Sequence, residues 1–476
     1  MRQLKQLMEE ITRRVDTNLR EFDMDSSNYI RSALPMSHFM RFYAFYGITS
    51  NHPIDFHFGR SSLAGSYFLS RCHVNSSILH KTDVRGDELK RRGQVFHLGG
   101  REILMHQDEC IRVQHSFLVK TLVHSYNHDP EFPEFYSIVN TFAAPYANIH
   151  GSAIRGCLLG PFATLDLTTV HDCMIGPFAY VQTGQISHTA VEPGSVWIEH
   201  GSDFRFHYQF PKDALQEYVR YDAKRGVQGR LVAFIRQRKR HFQEIFDVVH
   251  FNRSDNTHRS TALNRYAVVR GGTRISENVL VAQRAYLENA DLGKGANAQE
   301  NCYIVDSCLQ GFNVMAHGAK IIHARLGEKG FVGFNAFLRG SPQAPLDIGH
   351  HSIVMPHTII DTETALQIPP EHLVWGLIRN PQELAENSIS LEKLSQHNQG
   401  FRQGRLVFDG SGKTFVEQFQ KRIEHILLDN GAYFDGRQKR GHAQQGQNIA
   451  FNIIQPYTTG PRRGLFPTMN IHEGTG

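Results

Sequence analysis

Residues 159–164 read Leu-Gly-Pro-Phe-Ala-Thr, and residues 175–180 read Ile-Gly-Pro-Phe-Ala-Tyr. Each phrase sets an aliphatic residue, then glycine, then two outward positions, then a small residue. Working outward, aliphatic side chains recur at Ile149, Ile154, Leu159, Leu165, Val170, Ile175 and Val181, five or six apart. A second run follows at Leu287, Leu292, Ala298, Ile304, Leu309, Met315, Ile321, Leu326, Val332 and Leu338, and resumes at Ile348, Val354 and Ile360. This period fits neither an amphipathic helix nor an alternating strand. It predicts a solenoid of short strands in which one aliphatic side chain per strand points to the axis.

A weaker run at Val74, Leu79 and Val84 places the start of the first arc near residue 60, so the arc covers 60–210, with an insertion near 88–140 where the period breaks. Residues 1–59 read as an N-terminal helical segment and 211–264 as a helical insertion, with Leu231, Phe234 and Ile235 on one face. The second arc covers 265–365. A helical extension and a Gly/Gln-rich tail fill 366–476, the tail being expected to wrap a neighbour or to be mobile. The chain has 476 residues, 40% hydrophobic and 20% charged, which supplies a core and excludes global disorder. A formal net charge of +5 is too small to argue for nucleic acid. The charged first 25 residues and the lack of a long apolar window argue against a signal peptide or a membrane span. Six cysteines without a CxxC pair predict free thiols and a reducing, cytoplasmic setting. Cys302 and Cys308, each four residues after an aliphatic position, are expected in small inward slots.

The repeat resembles the hexapeptide repeat of left-handed parallel β-helices, in which three short strands make one triangular coil of about 18 residues. The left hand is implied by the resemblance, since ordinary parallel crossovers are right-handed. The phrases Asn297–Cys302, Gly333–Gly340 and Val354–Asp361 are similar to a bacterial hexapeptide family to which no substrate is attached. The segment Ile348–Ile360 followed by Val374-Trp-Gly-Leu-Ile-Arg379 resembles the closing coils of hexapeptide acyltransferases. Their V-x-G-x-P-A phrase, which borders the coenzyme A pocket, lacks its proline–alanine half here. The resemblance implies transfer of an acyl group from acyl-CoA or acyl-carrier protein to a hydroxyl or amine of a small or sugar-linked acceptor.

Such transfer needs a base for the acceptor proton and a donor for the oxyanion. Val170-His171-Asp172-Cys173 resembles the histidine–aspartate–cysteine phrase of acyl-carrier-protein-dependent acyltransferases, which makes His171 a candidate base. Coil arithmetic gives another. His317 lies two residues after the inward Met315, and Glu300 holds the same place one coil earlier. Rungs are about 4.8 Å apart, so the carboxylate can orient the imidazole. The same step pairs His323 with Asp306. Two readings compete with catalysis. One is a non-catalytic scaffold or binding module. The other is a metal site like that of gamma-class carbonic anhydrases, with His317/His323 and His351/His357 supplied in pairs; the six-residue spacing differs from that family's five, and no metal is expected.

Asp409-Gly-Ser-Gly-Lys-Thr414 mimics a phosphate loop without its first glycine. Gly271-Gly-Thr-Arg-Ile275 reads as a rung or a turn, and Arg236–His241 as a solvated helix face. The aromatic residues Phe162, Phe178, Tyr180, Phe312, Phe331 and Phe334 fall at outward positions. They lead to the expectation of a homotrimer that covers them and places sites at its interfaces.

Overall fold

The computed structural model describes all residues except 1, 34–37, 39–42, 99–100, 223, 246–255, 456–464 and 474–476. Two compact units are present. The first comprises Met1–Ile198, Pro211–Arg230 and Ala450–Gly476, and the second Glu199–Phe210 and Leu231–Ile449.

In the first unit, short parallel strands stack into three sheets. Ile138 pairs with Ile154, Ile154 with Val170 and Val170 with Ile186, a step of sixteen residues per coil. The other two sheets keep the same step, Leu158 with Met174 and Thr164 with Tyr180. The coil is therefore shorter than the eighteen residues of a regular hexapeptide turn. All seven aliphatic residues from Ile149 to Val181 lie in one buried core. The repeated Gly-Pro phrase has a steric cause. A Cβ at Gly160 would come within 2.5 Å of Pro177 N, and one at Gly176 within 2.5 Å of Pro193 N. Only glycine lets the next rung stack at that corner. A column of hydroxyls fills another corner: Ser61, Ser77 and Ser116 each accept from the backbone N–H of Ser77, Ser116 and Thr141, at 3.1, 3.1 and 3.2 Å.

The coil begins before residue 60, because Ala44–Ile48 and Asp55–Gly59 already pair in parallel with Tyr67–Leu69 and Arg71–Asn75. The break over 88–140 has two sources. A long excursion containing the hairpin Val95–Leu98/Arg101–Leu104 separates Arg71–Asn75 from its neighbour Cys110–Gln114. A shorter one precedes Phe135–Val139, which pairs with Cys110–Gln114. The strands between them belong to the coil. The helix Arg2–Asn18 buries Leu4, Leu7, Ile11 and Val15 against Ile78, Phe117, Phe142 and Leu158. The described strands of the tail pair within their own chain. Ala450–Ile454 and Met469–His472 pair antiparallel with Ala44–Ile48 and Asp55–Gly59 and cover those strand edges.

The second unit repeats the construction with a seventeen-residue step, Leu287 with Ile304, Ile321 and Leu338 in turn. Its coil strands continue past 365 to Leu377–Ile378. Every aliphatic residue of the second run lies in its core. Four described α-helices follow, Pro381–Glu386, Leu391–Gln396, Gly412–Asp429 and His442–Gln445. The stretch 211–250 is less helical than its sequence suggests: Lys212–Tyr218, Arg230–Gln237 and Lys239–Glu244 are helices, but Arg220–Asp222 and Gly226–Gln228 form a hairpin. Gly226 and Gly229, at φ +67° and +116°, break the helix there. Residues 246–255 of this insertion lie outside the described residues.

Two other expectations are corrected. Cys302 is inward and buried, but Cys308 pairs with Asp291 and Arg325 on the outer face and is half-buried. The outward aromatics are not left in water: Phe162, Phe178, Tyr180, Phe331 and Phe334 are buried within one chain, and Phe312 stacks on Tyr433 at 5.3 Å. Their exposure therefore supplies no argument for a trimer. Among the described residues no helix is long and apolar enough to cross a membrane.

The thiols offer a direct check of this register. Cys72, Cys110, Cys157, Cys173 and Cys302 are buried, and burial pushes the Cys302 thiol up to about 12. An aromatic disulfide reagent should modify one thiol quickly in the native protein and six after denaturation, and Cys308→Ser should abolish the fast phase.

Candidate functional site

In the second unit the strand pairing Ala298–Met315 brings Glu300 and His317 to one outer column on adjacent rungs. Glu300 Oε2 lies 2.8 Å from His317 Nδ1, and both side chains are only 2% exposed. The Phe334 ring, one rung further, meets the imidazole edge-on with centroids 5.2 Å apart. A carboxylate this close to Nδ1 favours the tautomer that carries its proton there and leaves Nε2 basic. The second predicted pair has the same step but another environment. His323 Nδ1 and Asp306 Oδ2 are 3.9 Å apart, half-exposed, at turn positions with φ near +48°. In solvent such a pair contributes little.

Lys320 was not anticipated as part of this site. It aligns between Tyr303 and Phe337 on the neighbouring column and is buried. Its ammonium donates to the Gly318 carbonyl and lies 6.0 Å from the Tyr303 ring centroid. Burial brings its pKa down from 10.5 to about 8. Phe234, from the helix Arg230–Gln237, covers this column, its ring edge-on to Tyr303 and Phe337 at 5.5 and 6.2 Å. The basic run 236–241 is correspondingly not all solvated: the Arg238 guanidinium lies 3.8 Å over Phe234, and His241 Nδ1 is 2.8 Å from Tyr286 Oη.

His171 belongs to the first unit. It is half-buried, and its neighbour Asp172 accepts from Asn18 Nδ2 of the N-terminal helix at 2.7 Å. The aspartate of that phrase is thus committed to packing the helix onto the coil.

The first unit holds a polar column that the sequence reading missed. Strand register places Arg85, His124, His150, Asp166 and Gln182 in one row of consecutive rungs. His150 Nδ1 is 2.8 Å from Asp166 Oδ1, and Tyr180 Oη donates to Asp166 Oδ2 at 2.5 Å. Asp166 is fully buried, whereas the His150 side chain is 14% exposed. His124 Nε2 lies 3.4 Å from Asp87 Oδ1 and 3.6 Å from Glu88 Oε1. Burial pushes the His124 pKa below the ordinary imidazole value, against those two carboxylates. The legible signal was the sixteen-residue step from His150 to Asp166.

Other motifs resolve into packing. Trp375 is buried edge-on to Phe206 at 6.2 Å, and a Cβ on Gly376 would come within 2.4 Å of the Tyr208 ring. The corner that borders the coenzyme A pocket in the resembled enzymes is filled by these side chains. In 409–414, a Cβ at Gly410 would meet Asp203 O at 2.2 Å and one at Gly412 would meet Leu394 O at 1.9 Å. The loop packs against the backbone at Asp203 and Leu394, and Ser411 caps the following helix by accepting from Thr414 N. Gly271 is a turn with φ +61°. His357 is buried while His351 is exposed, 3.9 Å from Glu371, so their six-residue spacing brings no shared ligand point.

The hexapeptide repeat including loop, as a family model, matches residues 101–223. A solved structure from Desulfovibrio desulfuricans G20, named as a "putative acetyltransferase", is 50% identical over 99% of both chains, with a TM-score of 0.93. Two further solved structures are far weaker matches. GDP-perosamine N-acetyltransferase from Caulobacter crescentus, solved with CoA and GDP-perosamine, is 16% identical over 25% of this chain and 51% of its own, TM-score 0.13. UDP-N-acetylglucosamine acyltransferase from Campylobacter jejuni is 12% identical over 71% and 92%, TM-score 0.20. At those scores they carry no argument about this chain. No curated protein matches in sequence. The chain belongs to the hexapeptide-repeat family, among proteins described as acyltransferases.

The buried lysine makes a stability prediction. The folded chain releases the Lys320 proton near pH 8, while the unfolded chain holds it to about 10.5, so the unfolded state binds more protons between these values. Stability contributed at this site therefore rises with pH across that window. Lys320→Met should be about 2 kcal/mol more stable than the parent at pH 7. In paired urea titrations that advantage should shrink steadily from pH 8 to 10.5; a constant difference would refute a charged, desolvated lysine.

Proposed function

We propose that the protein is an acyltransferase that moves an acyl group from acyl-CoA or acyl-carrier protein to a hydroxyl or amine of a small or sugar-linked acceptor. The full-length 50% identity to a protein described as an acetyltransferase carries the reaction class. His317 is the proposed base, since its carboxylate partner at 2.8 Å leaves Nε2 ready to accept a proton. In the step, the acceptor O–H or N–H proton passes to His317 Nε2 as the acceptor oxygen or nitrogen bonds to the acyl carbon. The C–S bond then breaks, and the leaving thiolate takes the proton from the imidazolium. Glu300 orients the ring and stabilises its charged form. His171, His323 and Asp306 are proposed to have no part in the step, given their half-exposed or packing roles. A left-handed coil and a reducing, cytoplasmic setting accompany this reading, the first from family membership and the second from six thiols without a pairing pattern.

Thermal-shift screening with acyl-CoAs, followed by measurement of thiol release with candidate acceptors, tests the reading. At least one donor should stabilise the protein. His317→Ala should then cut kcat by about 10³-fold and Glu300→Gln by about 10²-fold, with KM little changed. No stabilised donor in a folded sample would leave the scaffold reading instead, and turnover indifferent to His317→Ala would remove His317 as the base.

A homotrimer now rests on family membership alone. Light scattering should return three chain masses; a concentration-independent monomer overturns it.

A further inference from the structure

We propose that the first unit carries a binding site for a divalent transition-metal ion of the Zn2+ class, built on His124 and His150. The two residues are direct partners on adjacent rungs. Their rings are 5.4 Å apart between centroids, and a ring nitrogen of each lies within 4.8 Å of the other. An ion with bonds of about 2.1 Å to both needs a nitrogen separation of roughly 3.4 Å. Small rotations of two facing side chains span that difference.

The surroundings of each imidazole point the same way. Asp166 takes His150 Nδ1 at 2.8 Å and is itself held at its other oxygen by Tyr180. Asp87 and Glu88 flank His124 Nε2, and their remaining oxygens are held by the Arg85 guanidinium and by Ser125 Oγ, the latter at 2.9 Å. Carboxylates that fix imidazole orientation and basicity, and are themselves fixed by further hydrogen bonds, are the outer layer that metal-binding histidines use. Two imidazoles with carboxylate or water oxygen as further ligands suit a borderline ion and do not suit Ca2+ or Mg2+. The proposal is independent of the acyltransferase reading.

The test uses the full chain, stripped with a chelator and titrated with ZnCl2 by calorimetry, with metal content read by mass spectrometry. The parent should bind one Zn2+ per chain. His124→Gln and His150→Gln should each weaken binding by at least about tenfold, and Asp166→Asn, which removes no ligand, by about 10–100-fold. Co2+ in place of Zn2+ should give visible d–d absorption that disappears in the double glutamine variant. If the double variant does not fold, as judged by its unfolding transition, the single variants carry the same test. No stoichiometric binding by the parent, or binding unchanged by both histidine substitutions, overturns the proposal and leaves the column as a proton-transfer or packing network.

Discussion

Everything in this protein depends on one constraint, the in-register parallel ladder that repeats every sixteen residues in the first unit and every seventeen in the second. Backbone hydrogen bonding fixes adjacent rungs about 4.8 Å apart. A residue and its counterpart one step along the chain are thereby forced into contact on the same side of the coil. Inside, the result is stacked aliphatic columns; outside, it is stacked polar ones. A slip by a single residue would turn Leu287, Ile304, Ile321 and Leu338 outward together, so the core itself locks the register that aligns Glu300 with His317. The pairing of catalytic-type side chains is in this sense a by-product of core packing.

That constraint explains what could be read from sequence and what could not. The seventeen-residue step was visible in the second run because no insertion interrupts 287–338, and it located Glu300 under His317 correctly. The same arithmetic with sixteen residues leads from His150 to Asp166. His124 was beyond reach, because its partner His150 follows an irregular excursion in the chain rather than one clean step. The two cysteines show how a local rule fails. Ala298 to Ile304 spans six residues and leaves an inward small slot at Cys302, while Ile304 to Leu309 spans five. In the shorter side the fourth residue immediately precedes the next inward one and must face outward, so Ser307, not Cys308, takes the buried small position. The outward aromatics failed for a different reason. Burial of Phe331 by Phe419 and stacking of Phe312 on Tyr433 come from residues about ninety or more positions away, which no repeat can announce.

Outer columns of a solenoid are solvated by default, and a buried charge or imidazole there must be compensated. Glu300, His317, Lys320 and Asp166 are all buried at outer positions, where apolar side chains of similar volume would pack with less desolvation. Neighbouring rungs show that the fold tolerates the apolar solution: Phe334 stands one rung beyond His317, and Phe337 one rung beyond Lys320. Rungs therefore alternate between residues that would suffice for stability and residues that stability alone does not ask for. Local departures of this kind concentrate where chemistry is done, and carboxylate–imidazole pairs are the recurring form they take here. His317 with Glu300 and His150 with Asp166 share that form on two separate coils, each with its carboxylate one rung away. The ladder makes such pairs easy to build, and their burial separates them from the exposed His323–Asp306 pair, which has the same spacing but none of the dry surroundings that would let a carboxylate govern an imidazole.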